Sequence, residues 1–266
     1  MKIAFSDFDG TLYFHAQDSI PQINIDAIKT WQNKGNLFVL CSGRDIHSLM
    51  YEVNHYDLTY DYAICNNGGT IFDKNLNLIK HFPLARKELD ELVYSDITAD
   101  SWHILYSSKD KMQTTINSPK SQLLKYFELD KYKNQSIIQQ VTREKALLDK
   151  NIVQISLSYE TEEITNEYAK KINNGFNQQF LANVNLNCID ICRNGITKAQ
   201  GIKELLKSQT TYDFEEILTI GDAQNDVPMI IDKDFRGFSL NSATDIAKKS
   251  AIKLYDSVGE MLLDNI

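Results

Sequence analysis

Short apolar runs that stop abruptly at polar residues set the rhythm of the first eighty positions. Lys2 to Phe5 leads straight into Ser6-Asp7-Phe8-Asp9-Gly10-Thr11, and further strand-like runs lie at about 36–41 and 62–65. Between the first two runs, Ile20, Ile23, Ala27, Ile28 and Trp31 recur with helical spacing. Ser19 and Pro21 suit the start of that helix and Gly35 its stop. A second helix is expected over 45–55. Residues 70–81 read as a hairpin turning at Asp73-Lys74-Asn75. Alternation of this kind predicts parallel strands with crossover helices, an α/β fold.

After Pro83 the texture changes. Residues 84–182 hold no glycine before Gly175 and are rich in Lys, Gln, Asn and Tyr. The pattern predicts a helix at 86–97, strands near 102–106, 111–116 and 151–158, and a helix at 161–174. The parallel rhythm then resumes. Ile196, Ala199, Ile202, Leu205 and Leu206 mark a helix at 197–208, and a strand ends at Ile220. Shorter units follow at 225–231, 235–240, 243–249 and 251–254, with a closing helix near 257–264. The expectation is a discontinuous core, 1–82 and 190–266, interrupted by one inserted domain at 83–189.

Composition narrows the function. The chain has 266 residues, 42% of them hydrophobic, and a formal net charge of −8. An acidic field without a compensating basic run opposes nucleic acid and anionic membranes. No stretch approaches eighteen apolar residues, so no membrane span is expected. The four cysteines (Cys41, Cys65, Cys188, Cys192) lack the paired spacing of a zinc site and read as reduced thiols, which points to the cytoplasm. The sequence carries no signal for an oligomeric state.

Two acidic motifs carry the chemistry. Asp7-Phe8-Asp9-Gly10-Thr11 ends the first strand, and Gly221-Asp222-Ala223-Gln224-Asn225-Asp226 ends the strand Ile217 to Ile220. Strand ends of this kind face the ligand crevice of an α/β sheet. Brought together they would crowd three or four carboxylates, an arrangement that needs a cation. Each motif alone also fits an Asp/Gly-rich turn. Ser42-Gly43-Arg44 follows the run Leu37 to Cys41, where a hydroxyl and a glycine amide suit a phosphoryl oxygen; a helix cap accounts for the same residues. Lys198 opens a helix, an unfavourable place for a cation on dipole grounds, though a solvated surface lysine would read the same way.

The order Asp-x-Asp-Gly-Thr, Ser, Lys, Gly-Asp-x-x-Asn-Asp resembles the haloacid dehalogenase superfamily of phosphotransferases and phosphatases. The insert before the lysine resembles its Cof-type, or type IIB, subfamily. The resemblance implies a Rossmann-like parallel-sheet core carrying an α/β cap. It implies Asp7 as the nucleophile that becomes an aspartyl phosphate, and Asp9 as the acid and then the base. Lys198 would offset charge; Gly10, Ser42, Gly43, Lys198 and Asn225 would hold the phosphate. Mg²⁺ would sit on Asp7, Asp222 and the main-chain carbonyl of Asp9, with Asp226 supporting that shell. The expected activity is hydrolysis of small phosphorylated metabolites, sugar phosphates or phosphorylated cofactors. A phosphomutase or phosphotransferase using the same intermediate, and a non-catalytic sensor on this fold, are the alternatives. Asp9 favours phosphate chemistry over dehalogenation, since an alkoxide needs a proton on leaving and a halide does not. Arg44 matches the family pattern and fits either an ion pair or a phosphate contact. Ser6 stands where the family has an apolar residue, and Asn66-Asn67-Gly68-Gly69 where an Asn-Gly-small loop is common. In the insert, Tyr94, Tyr106, Tyr126, Tyr132, Tyr159 and His103 offer possible substrate contacts, each more readily explained by a core or surface role.

Overall fold

A computed structural model of the protein describes residues 1–124, 138–209 and 211–266. Contacts divide it into two units, Met1–Lys80 with Thr197–Ile266, and His81–Ile196. The chain begins with β1 (Lys2–Asp7), β2 (Leu37–Cys41), β3 (Tyr62–Cys65), β4 (Thr70–Asp73) and β5 (Leu78–His81). The second unit follows with β6 (His103–Ser108), β7 (Met112–Ile116), β8 (Ile138–Gln140), β9 (Ile152–Ser158), β10 (Phe180–Asn185) and β11 (Cys188–Arg193). The first unit resumes with β12 (Glu216–Gly221), β13 (Arg236–Leu240) and β14 (Lys253–Tyr255).

The first unit is built on one sheet in the order β14-β13-β12-β1-β2-β3-β4-β5. From β14 to β3 every pairing is parallel, and β4 turns antiparallel to β3. A parallel strand covered on both faces reads as a continuous apolar run, and β1 shows why. Ala4 packs with Ile28, Trp31 and Leu40 on one face, while Ile3 and Phe5 pack with Ala199, Ile202 and Leu205 on the other. The helix Gln22–Asn33 differs in one detail from its apolar pattern. Ile23 is exposed, and Asn24 takes the inward place, its Oδ1 accepting from the Gly259 amide at 2.8 Å.

The chain leaves β1 for β2 on one side and returns through β12 on the other. The carboxyl ends of β1 and β12 therefore lie side by side at the point where strand order reverses, the usual place for a ligand crevice.

The second unit has a mainly antiparallel sheet, β10-β11-β9-β6-β7-β8, with β7 and β8 parallel. Ile104, Tyr106, Ile155, Leu157, Ile189 and Ile191 pack beneath helices Arg86–Val93 and Glu162–Asn174. The helix expected at 86–97 breaks at Tyr94-Ser95 into Arg86–Val93 and Asp96–Ala99. There the Thr98 hydroxyl lies 3.1 and 2.8 Å from the Leu92 and Val93 carbonyls. The β10–β11 hairpin was not expected from the sequence. Its two-residue turn, Leu186-Asn187, holds Leu186 at φ +52 and carries no glycine to announce it. Residues 81–82 and 190–196 lie in the second unit rather than in the core, the latter because β11 belongs to this sheet. Tyr106, Tyr159 and His103 are buried, Tyr94 is exposed, and Tyr126 and Tyr132 lie outside the described residues. Burial lowers the His103 imidazole to about 4, and its Nδ1 lies 2.9 Å from Ser121 Oγ.

Candidate active site

Lys198 is the centre of the site. It opens the helix Lys198–Ser208 behind an N-cap at Thr197, and its ammonium is buried, 2.5 Å from Asp7 Oδ1 and 2.6 Å from Asp226 Oδ1. The surface-lysine reading is thereby excluded. Burial works against its charge, yet Asp226 and Asp7 outweigh that and hold the lysine protonated well above its ordinary range.

Asp7, at the end of β1, remains short of positive charge. Burial pushes its carboxyl well above the usual range and Asp226 adds to the rise; Lys198 opposes both without cancelling them. Asp222 is raised likewise, by burial first and then by Asp226. Oxygens from Asp7, Asp222 and Asp226 all lie within 4.8 Å of one another. Between two of these acids sits Thr11, whose hydroxyl is 2.9 Å from Asp7 Oδ2 and 2.8 Å from Asp222 Oδ1. A hydroxyl has one hydrogen to give, so one of those two contacts stays unsatisfied while both acids are ionised. Carboxylates this close together, with one hydroxyl divided between two of them, could hold a hard divalent cation, and the Lys198 ammonium offsets only part of their charge.

The chain closes tightly around these acids. Gly10 adopts φ +83, and a Cβ there would come 2.6 Å from Asp222 Oδ2. A Cβ on Gly221 would meet the Asp226 Cβ at 2.4 Å. Asp226 uses its second oxygen to accept from the main-chain amides of Asp222 and Ala223, both at 3.0 Å. Gly10 requires a correction as a phosphate binder: its amide donates to the Tyr13 carbonyl at 2.8 Å, and its role is the turn itself. Ser6 meets its polar demand locally, its hydroxyl donating to the Asp7 carbonyl at 2.8 Å.

Asp9 stands apart from the carboxylate cluster. Arg44 grips it bidentately, Nε to Oδ2 at 2.8 Å and Nη2 to Oδ1 at 2.6 Å, and His15 Nε2 lies 2.9 Å from Oδ1. The Arg44 guanidinium lies over the rings of Phe8 and Tyr13. Burial alone would raise the Asp9 carboxyl, but hydrogen bonds from His15 and Arg44 outweigh it and hold the group below its ordinary value. Arg44 is therefore an ion-pair partner of Asp9.

Ser42 is fully buried beyond β2, its Oγ accepting from the Arg44 amide at 3.0 Å. That bond leaves its hydrogen to donate elsewhere. Gly43 lies against the Asn67 side chain, and Asn225 Nδ2 donates to Asn67 Oδ1 at 3.1 Å.

A family model for haloacid dehalogenase-like hydrolases matches residues 4–260. The chain belongs to that family. A provisionally assigned phosphatase of Mycoplasma pneumoniae is 25% identical over 239 residues, covering 85% of this chain and 80% of its own. Among solved structures, a subclass IIB sugar phosphatase superposes with a TM-score of 0.80 over 100% of this chain and 99% of its own, at 21% identity. A haloacid dehalogenase-like hydrolase from B. subtilis reaches 0.83 over 100% of both chains, at 19% identity. These likenesses establish a shared fold, an α/β core with a second mixed sheet. Among the described residues, no helix is long and apolar enough to cross a membrane.

Within this haloacid dehalogenase-like hydrolase, Asp7, Asp222, Asp226 and Lys198 meet, and Ser42 and Asn225 come from neighbouring strand ends. Thr11, His15 and Asn67 also take part, and none was singled out from sequence. Thr11 lay inside a recognised motif, and Asn67 inside a noted loop. His15 had no signal at all.

Proposed function

We propose that this protein is a Mg²⁺-dependent phosphomonoesterase acting on small phosphorylated metabolites, sugar phosphates foremost. The observation that carries the reading is the buried ammonium of Lys198 between Asp7 and Asp226, beside a carboxylate cluster short of positive charge. A carboxylate can attack a phosphate dianion only where the mutual repulsion is neutralised. The likeness to a sugar phosphatase supports the substrate class. The four cysteines, none of them in a disulfide, fit a cytoplasmic protein.

In the first step an Asp7 oxygen attacks phosphorus, the bond to the leaving oxygen breaks, and Asp9 gives that oxygen its proton. In the second, water attacks the aspartyl phosphate, Asp9 takes the water's proton, and the bond between Asp7 and phosphorus breaks to release phosphate. The carboxylate held by Arg44 and His15 is the base form needed for the second step. The acid step requires Asp9 to take up a proton and give up part of that grip. Ser42, Gly43, Asn225 and Lys198 would hold the phosphoryl oxygens. Asp7, Asp222 and the main-chain carbonyl of Asp9 would bind Mg²⁺, which supplies charge neutralisation at the phosphate. Asp226 has both oxygens engaged, on Lys198 and on two amides, and so orients the lysine and the loop from behind.

The test is phosphate release from a panel of phosphorylated metabolites, with Mg²⁺ or EDTA, comparing the wild type with Asp7→Asn. Metal-dependent release that vanishes in the variant is expected. An isomeric product with little free phosphate would point to a mutase, and no turnover by folded wild type to a sensor.

A further inference from the structure

The turn Asn66–Gly69 touches the loops after β2 and β12 and the start of the Lys198 helix, although the mechanism gives it no task. Its backbone is unusual: Asn66 and Asn67 both have φ +53, and Gly68 has φ +101. The Asn66 amide donates to the Arg44 carbonyl at 2.8 Å, and the Asn67 amide to the Ser42 carbonyl at 3.0 Å. Gly68 lies so close to the Lys198 helix that a Cβ there would come 2.2 Å from the Thr197 carbonyl oxygen. The buried Asn67 side chain then reaches the last motif, accepting from Asn225 Nδ2 at 3.1 Å while lying against Gly43.

We propose that Asn67 is a positioning residue that sets which end of the Asn225 amide faces the phosphate. A carboxamide has an N–H end and a carbonyl end of nearly the same shape. Only the N–H end favours an anion. Asn67 Oδ1 is an acceptor, so it pairs with the Asn225 NH₂ group and leaves that group's second hydrogen for the phosphoryl oxygen. A flipped Asn225 would set its carbonyl oxygen against that of Asn67 and turn the same negative end towards the substrate. The left-handed backbone matters too, because asparagine tolerates it better than most side chains. The inference rests on the reading of Asn225 as a phosphate contact.

A double-mutant cycle tests it. Asn67→Gly removes the side chain without straining the left-handed backbone, and Asn225→Ala removes the amide it orients. Both variants and their combination are compared with the wild type in kcat/KM for p-nitrophenyl phosphate, and in calorimetric affinity for inorganic phosphate with Mg²⁺. Asn67→Gly is expected to weaken both by about tenfold, the effect of a good hydrogen bond to a charged partner, with most of the kinetic loss in KM. The combined variant should be no worse than Asn225→Ala alone, because Asn67 acts through Asn225. Additive losses, or an Asn67→Gly protein indistinguishable from wild type, would overturn the proposal. Should Asn67→Gly not fold, Asn67→Ser leaves a smaller void, is too short to reach Asn225, and is read the same way. If the wild type turned over nothing, the phosphatase reading would fail, while the phosphate-binding cycle would still decide the role of Asn67.

Discussion

Replacing Lys198 with methionine removes the charge and keeps most of the volume, so the variant isolates electrostatics from packing. In the wild type the ammonium is 1% exposed and lies 2.5 Å from Asp7 and 2.6 Å from Asp226. Removing one partner of a buried pair leaves an uncompensated charge and destabilises by about 3–5 kcal/mol. At roughly 2–4 °C per kcal/mol for a chain of this size, Tm should fall by about 6–20 °C in EDTA at pH 7.5. The deficit should depend on pH. Burial already holds the Asp7 carboxyl above its ordinary value of 3.8, and losing Lys198 lifts it further. An acid whose folded value exceeds its unfolded value binds its proton more tightly in the native state. Stability is then regained as pH falls from the folded value toward 3.8. Calorimetric melts at pH 7.5 and 5 should therefore converge on the wild type at the lower pH. Mg²⁺ should raise the variant's Tm more than the wild type's, since the site carries one more uncompensated charge. A Tm unchanged at pH 7.5, or a deficit that grows on acidification, would refute the account of Lys198 as the internal counter-ion of Asp7 and Asp226.

Three further outcomes follow from the same geometry. Asp9→Ala should lower kcat/KM for alkyl phosphates by about 10²–10⁴, the usual worth of a general acid, and for p-nitrophenyl phosphate by much less, because a nitrophenolate leaves without a proton. Equal losses on both would remove Asp9 from that role. His15→Ala takes away a donor that, with Arg44, outweighs the effect of burial on Asp9. The Asp9 carboxyl, followed by carbon NMR, should then titrate closer to its ordinary 3.8. A depressed carboxyl adds stability that is complete above 3.8 and lost as pH falls through its folded value, so the variant should also lose less on acidification. Gly221→Ala sets a methyl 2.4 Å from the Asp226 Cβ, and overpacking of this kind costs about 1–3 kcal/mol. Its Mg²⁺-induced rise in Tm should shrink or vanish, as read by differential scanning fluorimetry.

The parts of the molecule visible in the sequence are those whose physics is local. A buried parallel strand has to be apolar along its length and has to stop where its end becomes functional, so Lys2–Asp7 and Glu216–Gly221 announced themselves and their carboxylates together. The partnership of Lys198 with Asp7 was legible only through the family pattern, because nothing near Lys198 in sequence shows that Asp7 lies beside it. The β10–β11 hairpin escaped because its turn uses leucine at positive φ, where glycine or an Asn-Gly pair would have marked it. Ile23 was misplaced because a helical period gives a face to within one residue, and Asn24 found a specific partner in the Gly259 amide. His15 and Asn67 act through contacts made only once the loops have folded, and residue type alone does not encode such contacts.

The pairing of β1 with β12 joins Lys2 to Glu216 across almost the whole chain. During folding, the acids of the first strand and those of the twelfth have no reason to approach one another until that pairing closes. Closure of so long a loop is costly to begin but nearly indifferent to further length, since doubling it adds only about 0.6 kcal/mol. Two consequences attach to this. An ion site built from Asp7 and Asp222 would exist only where that pairing has closed, so ion binding would report that the two strand ends have met. And the second unit, His81–Ile196, can lengthen, shorten or be exchanged at little thermodynamic expense to that closure, so evolution is free to rewrite it while Asp7, Lys198 and Asp222 keep their places.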